Sequence, residues 1–363
     1  LSVGVGVVAA AATGTSGPRP AAKPLARALH DALGAPAPAG VTARIKFTNR
    51  LLPTDALSGQ VGSALMSGAS GRLWARNDGR GRLELQSDAG DVQIVWTQTT
   101  VSVFDASSNT VYRATLPERS ESHPKRAAAV PAVAQIQSFL AKLGEHVAIS
   151  AAAPTNIGGR PAYAVRLAPK QHPGLLRDLE LAWDAARAVP LRVAIHGKGA
   201  SSAPLALSVT HIGYGRVPAA DVDIAPPSDA KVVDLGGLAS GPGRKHSKPV
   251  TGLTAVHKAA PFAVVAPPRL AGRALRDIRL TGKAVVAVYG EALDSIVVVE
   301  RQAAASGAGA MSALPAVHLG GISAHELTTA LGTVLTWKRD GVGFVVAGSV
   351  TSATAEAAAR ELG

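Results

Sequence analysis

The pattern with the strongest claim to chemistry is His325-Glu326-Leu327-Thr328-Thr329. It opens like the helix of a zinc protease, in which two histidines at four-residue spacing hold the metal and the glutamate acts as base. The fifth position here is Thr329. One imidazole stands where two are needed, so this spacing cannot hold zinc. Ser70 sits in Gly-Ala-Ser-Gly, which is not the Gly-x-Ser-x-Gly turn of hydrolases. The glycine-rich run 341–348 lacks the Lys-Ser/Thr pair that a phosphate-binding loop requires. Residues 4–9 (GVGVVA) match a dinucleotide fingerprint by letters, but no strand precedes them and no phosphate-facing helix with a later acid follows. The 10 histidines are dispersed without metal spacing. Asp and Glu pairs fall in polar strand faces and turns. No nucleophile–base constellation, metal site or cofactor motif is legible, and the chain reads as non-enzymatic.

With catalysis set aside, the informative stretch is 71–116. Short runs alternate apolar and polar residues: Leu73 and Ala75; Leu83 and Leu85; Val92, Ile94 and Trp96; Val101 and Val103; Tyr112, Ala114 and Leu116. Period-two alternation places each set on one face of a strand. Asn77-Asp78-Gly79, Asp88-Ala89-Gly90-Asp91 and Ser107-Ser108-Asn109 separate the runs, and these residue types accept the positive φ of tight hairpins. The pattern predicts a meander of about five antiparallel strands with one apolar face. What covers that face, a packed core or a ligand, decides the function.

The chain has 363 residues, 47% hydrophobic but only 4% aromatic, so its apolar content is mostly Ala, Val and Leu. That length favours two domains. There is no cysteine, which excludes disulfides, thiol catalysis and thiolate metal sites. The formal net charge is +12. A basic surface suits solubility, and it also attracts anionic lipid headgroups or wall polymers. Nucleic acid is not expected as a partner, because the Lys and Arg are scattered and no stacking aromatics interleave them.

In chain order, 1–17 reads as the end of a secretory leader, apolar and then small, too short to span a bilayer. A helix is expected from about Pro24, with Leu25, Leu29 and Leu33 on one face. Val41, Ala43, Ile45 and Phe47 alternate in a first strand. After the meander, 132–146 places Ile136, Phe139, Leu140 and Leu143 at helical spacing, an amphipathic helix able to lie on the apolar face. Strands follow at 162–167, 179–184, 190–196 and 205–214. The stretch 236–252 is a linker by composition, with a basic patch of Arg244, Lys245, His246 and Lys248. Beyond it, strands are expected at 262–266, 284–289, 295–301, 334–338 and 343–347. Asp340-Gly341 marks a hairpin, and Ser352 is placed to cap a final helix.

The order of these elements resembles the lipoprotein-carrier superfamily of LolA and LolB, with the LppX and LprG proteins and the RseB (MucB) group. Gly71-Arg72-Leu73-Trp74 resembles the opening of that family's strand pair, and Arg80 and Arg82 fall in its arginine-rich strand. Val101-Ser102-Val103-Phe104-Asp105 is similar to the strand before the Asn turn, with Phe104 as the aromatic. Phe139 and Leu140 fall at the lid helix. Asp223-Ile224-Ala225-Pro226-Pro227 is similar to the closing strand, with Ile224 in place of Phe. Residues 262–270, then 285–289 and the hairpin–helix ending, resemble the C-terminal domain of the RseB group, which simple carriers lack.

The resemblance implies an α+β fold in two parts. Residues 24–235 form a curved antiparallel β half-barrel with covering helices, and 253–363 a smaller α+β domain. It implies an extracytoplasmic binding protein that holds acyl chains of lipids or lipoproteins in an apolar cavity. The alternative is a regulator that binds an extracytoplasmic segment of a membrane-anchored anti-sigma factor or sensor. The candidate lining is Ile45, Phe47, Leu73, Leu83, Leu85, Ile94, Trp96 and Val103 from the strands, and Ile136, Phe139, Leu140 and Leu143 from the helix. The same residues would equally build an ordinary core, since alternation does not say which face is concave. Limited proteolysis is expected to cut within 236–252 and release two folded fragments, whereas a resistant stretch would mean a docked linker.

Overall fold

The structure is a computed structural model, and it describes residues 17–51, 64–116, 130–235, 249–303 and 314–363. The GVGVVA pattern, nearly all of the leader and the basic patch of the linker lie outside the described residues.

Residues 17–235 build one sheet. Helix α1 (Leu25–Leu33) leads into β1 (Gly40–Asn49), and a short α2 (Ala64–Ser67) precedes the meander. The meander is β2 (Ala69–Arg76), β3 (Gly81–Ser87), β4 (Gly90–Trp96), β5 (Thr100–Asp105) and β6 (Thr110–Thr115). Its turns use the residues their chemistry favours: Gly79, Gly90 and Asn109 all have positive φ. Helix α3 (Val133–Leu143) follows. Then come β7 (Val147–Ile149), β8 (Ala153–Ile157), β9 (Arg160–Pro169), β10 (Leu176–Asp184), β11 (Pro190–Gly197), β12 (Leu205–Tyr214) and β13 (Lys231–Asp234).

The sheet has 13 strands in the order β13-β6-β5-β4-β3-β2-β1-β12-β11-β10-β9-β7, with β8 also on β9. It is curved but not closed. β1 joins the meander to the later strands, pairing with β2 on one side and β12 on the other. A bulge between Arg44 and Ile45 interrupts the second pairing, a device that bends a strand.

Two expectations are corrected here. Residues 223–227 are not a closing strand. The segment 221–230 is irregular, and β13 follows it, pairing parallel to β6. Pro226 and Pro227 lack the N–H a ladder needs. Helix α3 has α1 as its principal partner rather than the meander. α1 in turn sits on Tyr163, Val165 and Trp183 of β9 and β10. The segment before α1 is tied to the same place, with Tyr163 Oη donating to the Ala21 carbonyl at 2.6 Å and Asn156 Nδ2 to that of Pro18 at 2.8 Å. On α1 the buried residues are Ala26 and Ala28, Leu25 and Leu29 are partly buried, and Leu33 is exposed.

The second unit runs β14 (Val250–Thr251), α4 (Leu253–Ala259), β15 (Arg269–Leu270), β16 (Arg273–Thr281), β17 (Ala284–Tyr289), β18 (Ile296–Gln302), β19 (Ala316–Leu319), β20 (Ile322–Thr329), β21 (Gly332–Arg339), β22 (Val342–Gly348) and α5 (Ser352–Leu362). Its 9 strands take the order β14-β16-β17-β18-β22-β21-β20-β19, with β15 on β16. The β21–β22 turn has positive φ at both Asp340 and Gly341, as a tight hairpin demands. Thr351 caps α5, not Ser352, its side chain accepting from the Thr354 N–H at 3.3 Å. No strand forms at 262–266, where Pro261, Pro267 and Pro268 crowd the backbone. The two sheets touch where the Leu175 N–H donates to the Ser349 carbonyl at 3.0 Å. Gly174 allows this approach: it has φ +55°, and a Cβ there would lie 2.6 Å from the carbonyl oxygens of Leu293 and Ser349.

The core of the second sheet holds one misfit. Glu300 on β18 is fully buried. One carboxyl oxygen accepts the Val265 N–H at 2.9 Å, which is where that proline-rich segment finds a partner for its amide, while the other is unpaired. Burial disfavours the charged form, and the carboxyl is pushed up to about 7 from its ordinary 4.5. In that window the folded state binds a proton that the unfolded state has released. The stabilisation is therefore full below about 4.5 and is lost as pH rises through 7, by about 3 kcal/mol. Thermal unfolding across this range should show the decline in the wild type and a flatter profile in Glu300→Gln.

Candidate functional site

The register of the first sheet determines which expected lining residues meet. Residues directly opposite in antiparallel strands share a face. One cross-strand row runs Tyr112, Val103, Ile94, Leu83, Leu73, Ala43 and Ile212 across β6 to β1 and β12. The next row runs Val92, Leu85, Gly71, Ile45 and Val209. A third carries Val101, Trp96, Gly81, Ala75 and Val41. Val193, Leu207, Phe47 and Ala69 make a fourth. All eight strand-borne candidates thus lie on one continuous apolar face, called the inner face below.

Their environments differ along that face. Ile45 and Leu85 are buried, in one cluster with Ala64 of α2. Phe47, Leu73, Leu83, Ile94 and Val103 are half-buried and pack against the cluster. Trp96 is half-buried and lies across Gly81, where a Cβ would come within 2.1 Å of the indole. Only glycine leaves room for this ring. On α3, Ile136 is buried, Leu140 and Leu143 are half-buried, and Phe139 is 63% exposed. The helix therefore buries one of its four expected contacts fully and two in part, and turns its largest side chain to the outside.

Three inner-face residues absent from the expected lining remain open: Tyr112 at 37%, Val193 at 38% and Leu207 at 40%. The expected strands at 190–196 and 205–214 contain two of them, and their apolar alternation carried the signal. Only the pairing of Val193 with Leu207, and of Leu207 with Phe47, joins them to the meander.

The polar clusters of this sheet are closed structural pairs. Asp184 is buried and accepts from Arg160 Nε at 2.9 Å, Tyr214 Oη at 2.7 Å and the Ala186 N–H at 2.8 Å. Burial works to raise its carboxyl, yet these donors hold it below the ordinary value. Burial and the same partner carboxylate push the Tyr214 phenol up. Asp178 and His196, both buried, pair at 2.8 Å. His325, from the metal-like pattern, lies on strand β20 rather than on a helix, and its Nδ1 sits 2.9 Å from the Leu314 carbonyl. Among the described residues no group of three or more His, Cys, Asp or Glu could hold a metal ion.

Two cavities flank the first sheet. One of about 330 Å³ lies between the sheets, lined by Asn49 and Leu51 from the first and by Thr329, Leu331, Thr333 and Val334 from the second. The other, about 320 Å³, lies on the outer face of the meander. Neither is lined by the expected set. Among the described residues no helix is long and apolar enough to cross a membrane.

No family profile and no curated protein matches the chain. Among solved structures, it is similar to MucB in complex with MucA(peri), at 15% identity and a TM-score of 0.43, over 92% of this chain and 94% of that one. It is similar to the MucA/MucB complex of Pseudomonas aeruginosa at 16% identity and a TM-score of 0.43, over 92% and 96%. A putative outer membrane lipoprotein-sorting protein domain from Vibrio parahaemolyticus is similar at 12% identity and a TM-score of 0.25, over 55% of this chain and 96% of that domain.

Proposed function

We propose that this chain is an exported, non-enzymatic binding protein whose inner face shelters acyl chains, free or attached to a lipidated partner. The observation that carries the reading is the uncovered part of that face. Tyr112, Val193 and Leu207 continue the apolar rows of the core yet stay exposed. The expected lining of Phe47, Leu73, Leu83, Ile94, Trp96 and Val103 adjoins them. Large exposed apolar patches mark binding surfaces. Burying a methylene yields about 0.8 kcal/mol, so one long chain supplies several kcal/mol without any polar readout. The net charge of +12 favours approach to anionic lipid surfaces.

The second reading is a regulator that clamps an extracytoplasmic segment of a membrane-anchored partner. The cleft between the two sheets favours it, because both sheets contribute walls. A pulldown separates the readings: a regulator retains a membrane protein, and a carrier retains lipid.

Two measurements test the leading reading. Native mass spectrometry of the purified protein should show the added mass of a lipid. The variant Val193→Asp/Leu207→Asp should weaken retention of a fluorescent fatty-acyl probe at least about tenfold, because it places charge where apolar contact is needed. Unchanged retention would remove the inner face from consideration. Stability should divide the lining residues. Leu85→Ala should cost about 2–5 kcal/mol as a core deletion. Phe139→Ala should stay within about 0.5 kcal/mol, as exposed positions do, while altering probe release if α3 borders the site. Thermal and denaturant unfolding of both variants checks this.

A further inference from the structure

We infer that the outer face of the meander carries a second, separate site for a small single-chain carboxylate. The cavity of about 320 Å³ there is floored by β4, β5 and β6 and roofed by Ile224 and Pro226. These two residues belong to the irregular segment that the resemblance would have made a strand. That segment is pinned at both ends. Arg76 Nη1 donates to the Val217 carbonyl at 2.7 Å, and Arg80 Nη1 to Asp223 Oδ2 at 2.7 Å. At the far end Asn109 Nδ2 donates to Asp229 Oδ2 at 3.0 Å. Arg82 also donates to the Asp221 carbonyl, at 3.3 Å, and its guanidinium stacks 4.8 Å from the Trp74 ring. The roof is thus preformed over a floor fixed by the strand ladder, and a preformed cavity of this size lies within the ligand-binding range.

The walls have two characters. Val95, Phe104, Ile224 and Pro226 are apolar and only half-buried, so they present accessible surface to the cavity. Arg113 also lines it, in register with Ser102. Its guanidinium has no ion pair or hydrogen bond among the described residues, as is also true of Arg44 and Arg72 in the same sheet, whereas Arg76, Arg80, Arg160, Arg177 and Arg192 are paired; of the three, Arg113 is the one that lines the cavity. An unpaired guanidinium beside an apolar slot matches a carboxylate head with an alkyl body: the fork geometry takes the anion, and the slot takes the chain. The lining supplies Gln93 and Ser102 as further donors and includes no carboxylate. The site is distinct from the inner face, because Gln93, Ser102 and Arg113 alternate with Val92, Val103 and Tyr112 along their strands.

Isothermal titration with decanoate and with uncharged decanol tests the site. Decanoate should bind the wild-type protein more tightly than decanol. Arg113→Ala should weaken decanoate at least about tenfold and leave decanol unchanged. Ser102→Phe should abolish the Arg113-dependent binding of decanoate by filling this cavity. Arg113 is exposed and unpaired, so its removal should leave the unfolding temperature in place. Leu207→Asp, on the inner face, should leave the Arg113-dependent decanoate binding intact. Decanoate affinity that is absent in the wild type, indifferent to Arg113→Ala, or lost with Leu207→Asp would overturn the assignment. The last of these outcomes would instead place the probe on the inner face.

Discussion

The first sheet has more apolar face than the helices of the described residues cover. Thirteen strands joined edge to edge build rows of apolar side chains from β6 through β1 to β12. Against this face stand α1, α2 and α3, of 9, 4 and 11 residues. α1 is committed to β9 and β10, and α3 stacks on α1. α2 covers part of β1, β3 and β4. Tyr112 at one end, and Leu207 with Val193 at the other, are what this arrangement leaves exposed. The rest of the half follows from it: a wide sheet that curves through the β1 bulge, two tethers that hold the N-terminal segment to Asn156 and Tyr163, and an apolar surface that water cannot solvate well.

The second sheet shows that the same chain closes a face when helix is available. α5 lays Ala355, Ala358, Ala359 and Leu362, all buried, over β21 and β22, and α4 adds Val256 over β16. The small alanines let α5 sit close, and Trp337 stacks on Phe344 at 5.1 Å beneath. Here the apolar side chains end in a core containing Leu335, Val346 and Ile296, each at zero exposure. Openness in the first sheet is therefore a property of that sheet and not of an alanine-rich composition that packs poorly.

Much of this architecture was legible in the sequence, and the reasons are local. Pro24 fixes the start of α1, and the Asn, Asp and Gly turns fix the hairpins of the meander. The eight strand-borne residues share one face of the sheet because period-two alternation is a property of each strand by itself. What failed was long-range. Nothing near 133–143 encodes that α3 prefers α1 to the meander. Ile136 and Phe139 look equivalent on a helical wheel, and only the partner's position buries the first and exposes the second. β16 and β20 were missed because RALRDIRLT and ISAHELTT alternate weakly, their polar residues held by neighbouring strands rather than by propensity. The expected strand at 262–266 failed for the opposite reason. Its apolar run is real, but its amide is satisfied by the side chain of Glu300, 35 residues away in sequence.

The arginines connect the two faces of the first sheet to one physical argument. A buried or half-buried guanidinium needs partners, and Arg76, Arg80 and Arg82 find theirs on the segment 217–223, which they hold against the outer face. This gives the outer face a lid of backbone and proline rather than of helix. The apolar rows of the inner face carry no such arginines among the described residues, and the polar anchors on that side, Tyr163 and Asn156, hold only the segment before α1. One side of the sheet is consequently roofed by charge and the other left to dispersion and the hydrophobic effect. The proposed carboxylate site draws on the charge of the first side, and the proposed acyl-chain surface on the apolar contact of the second.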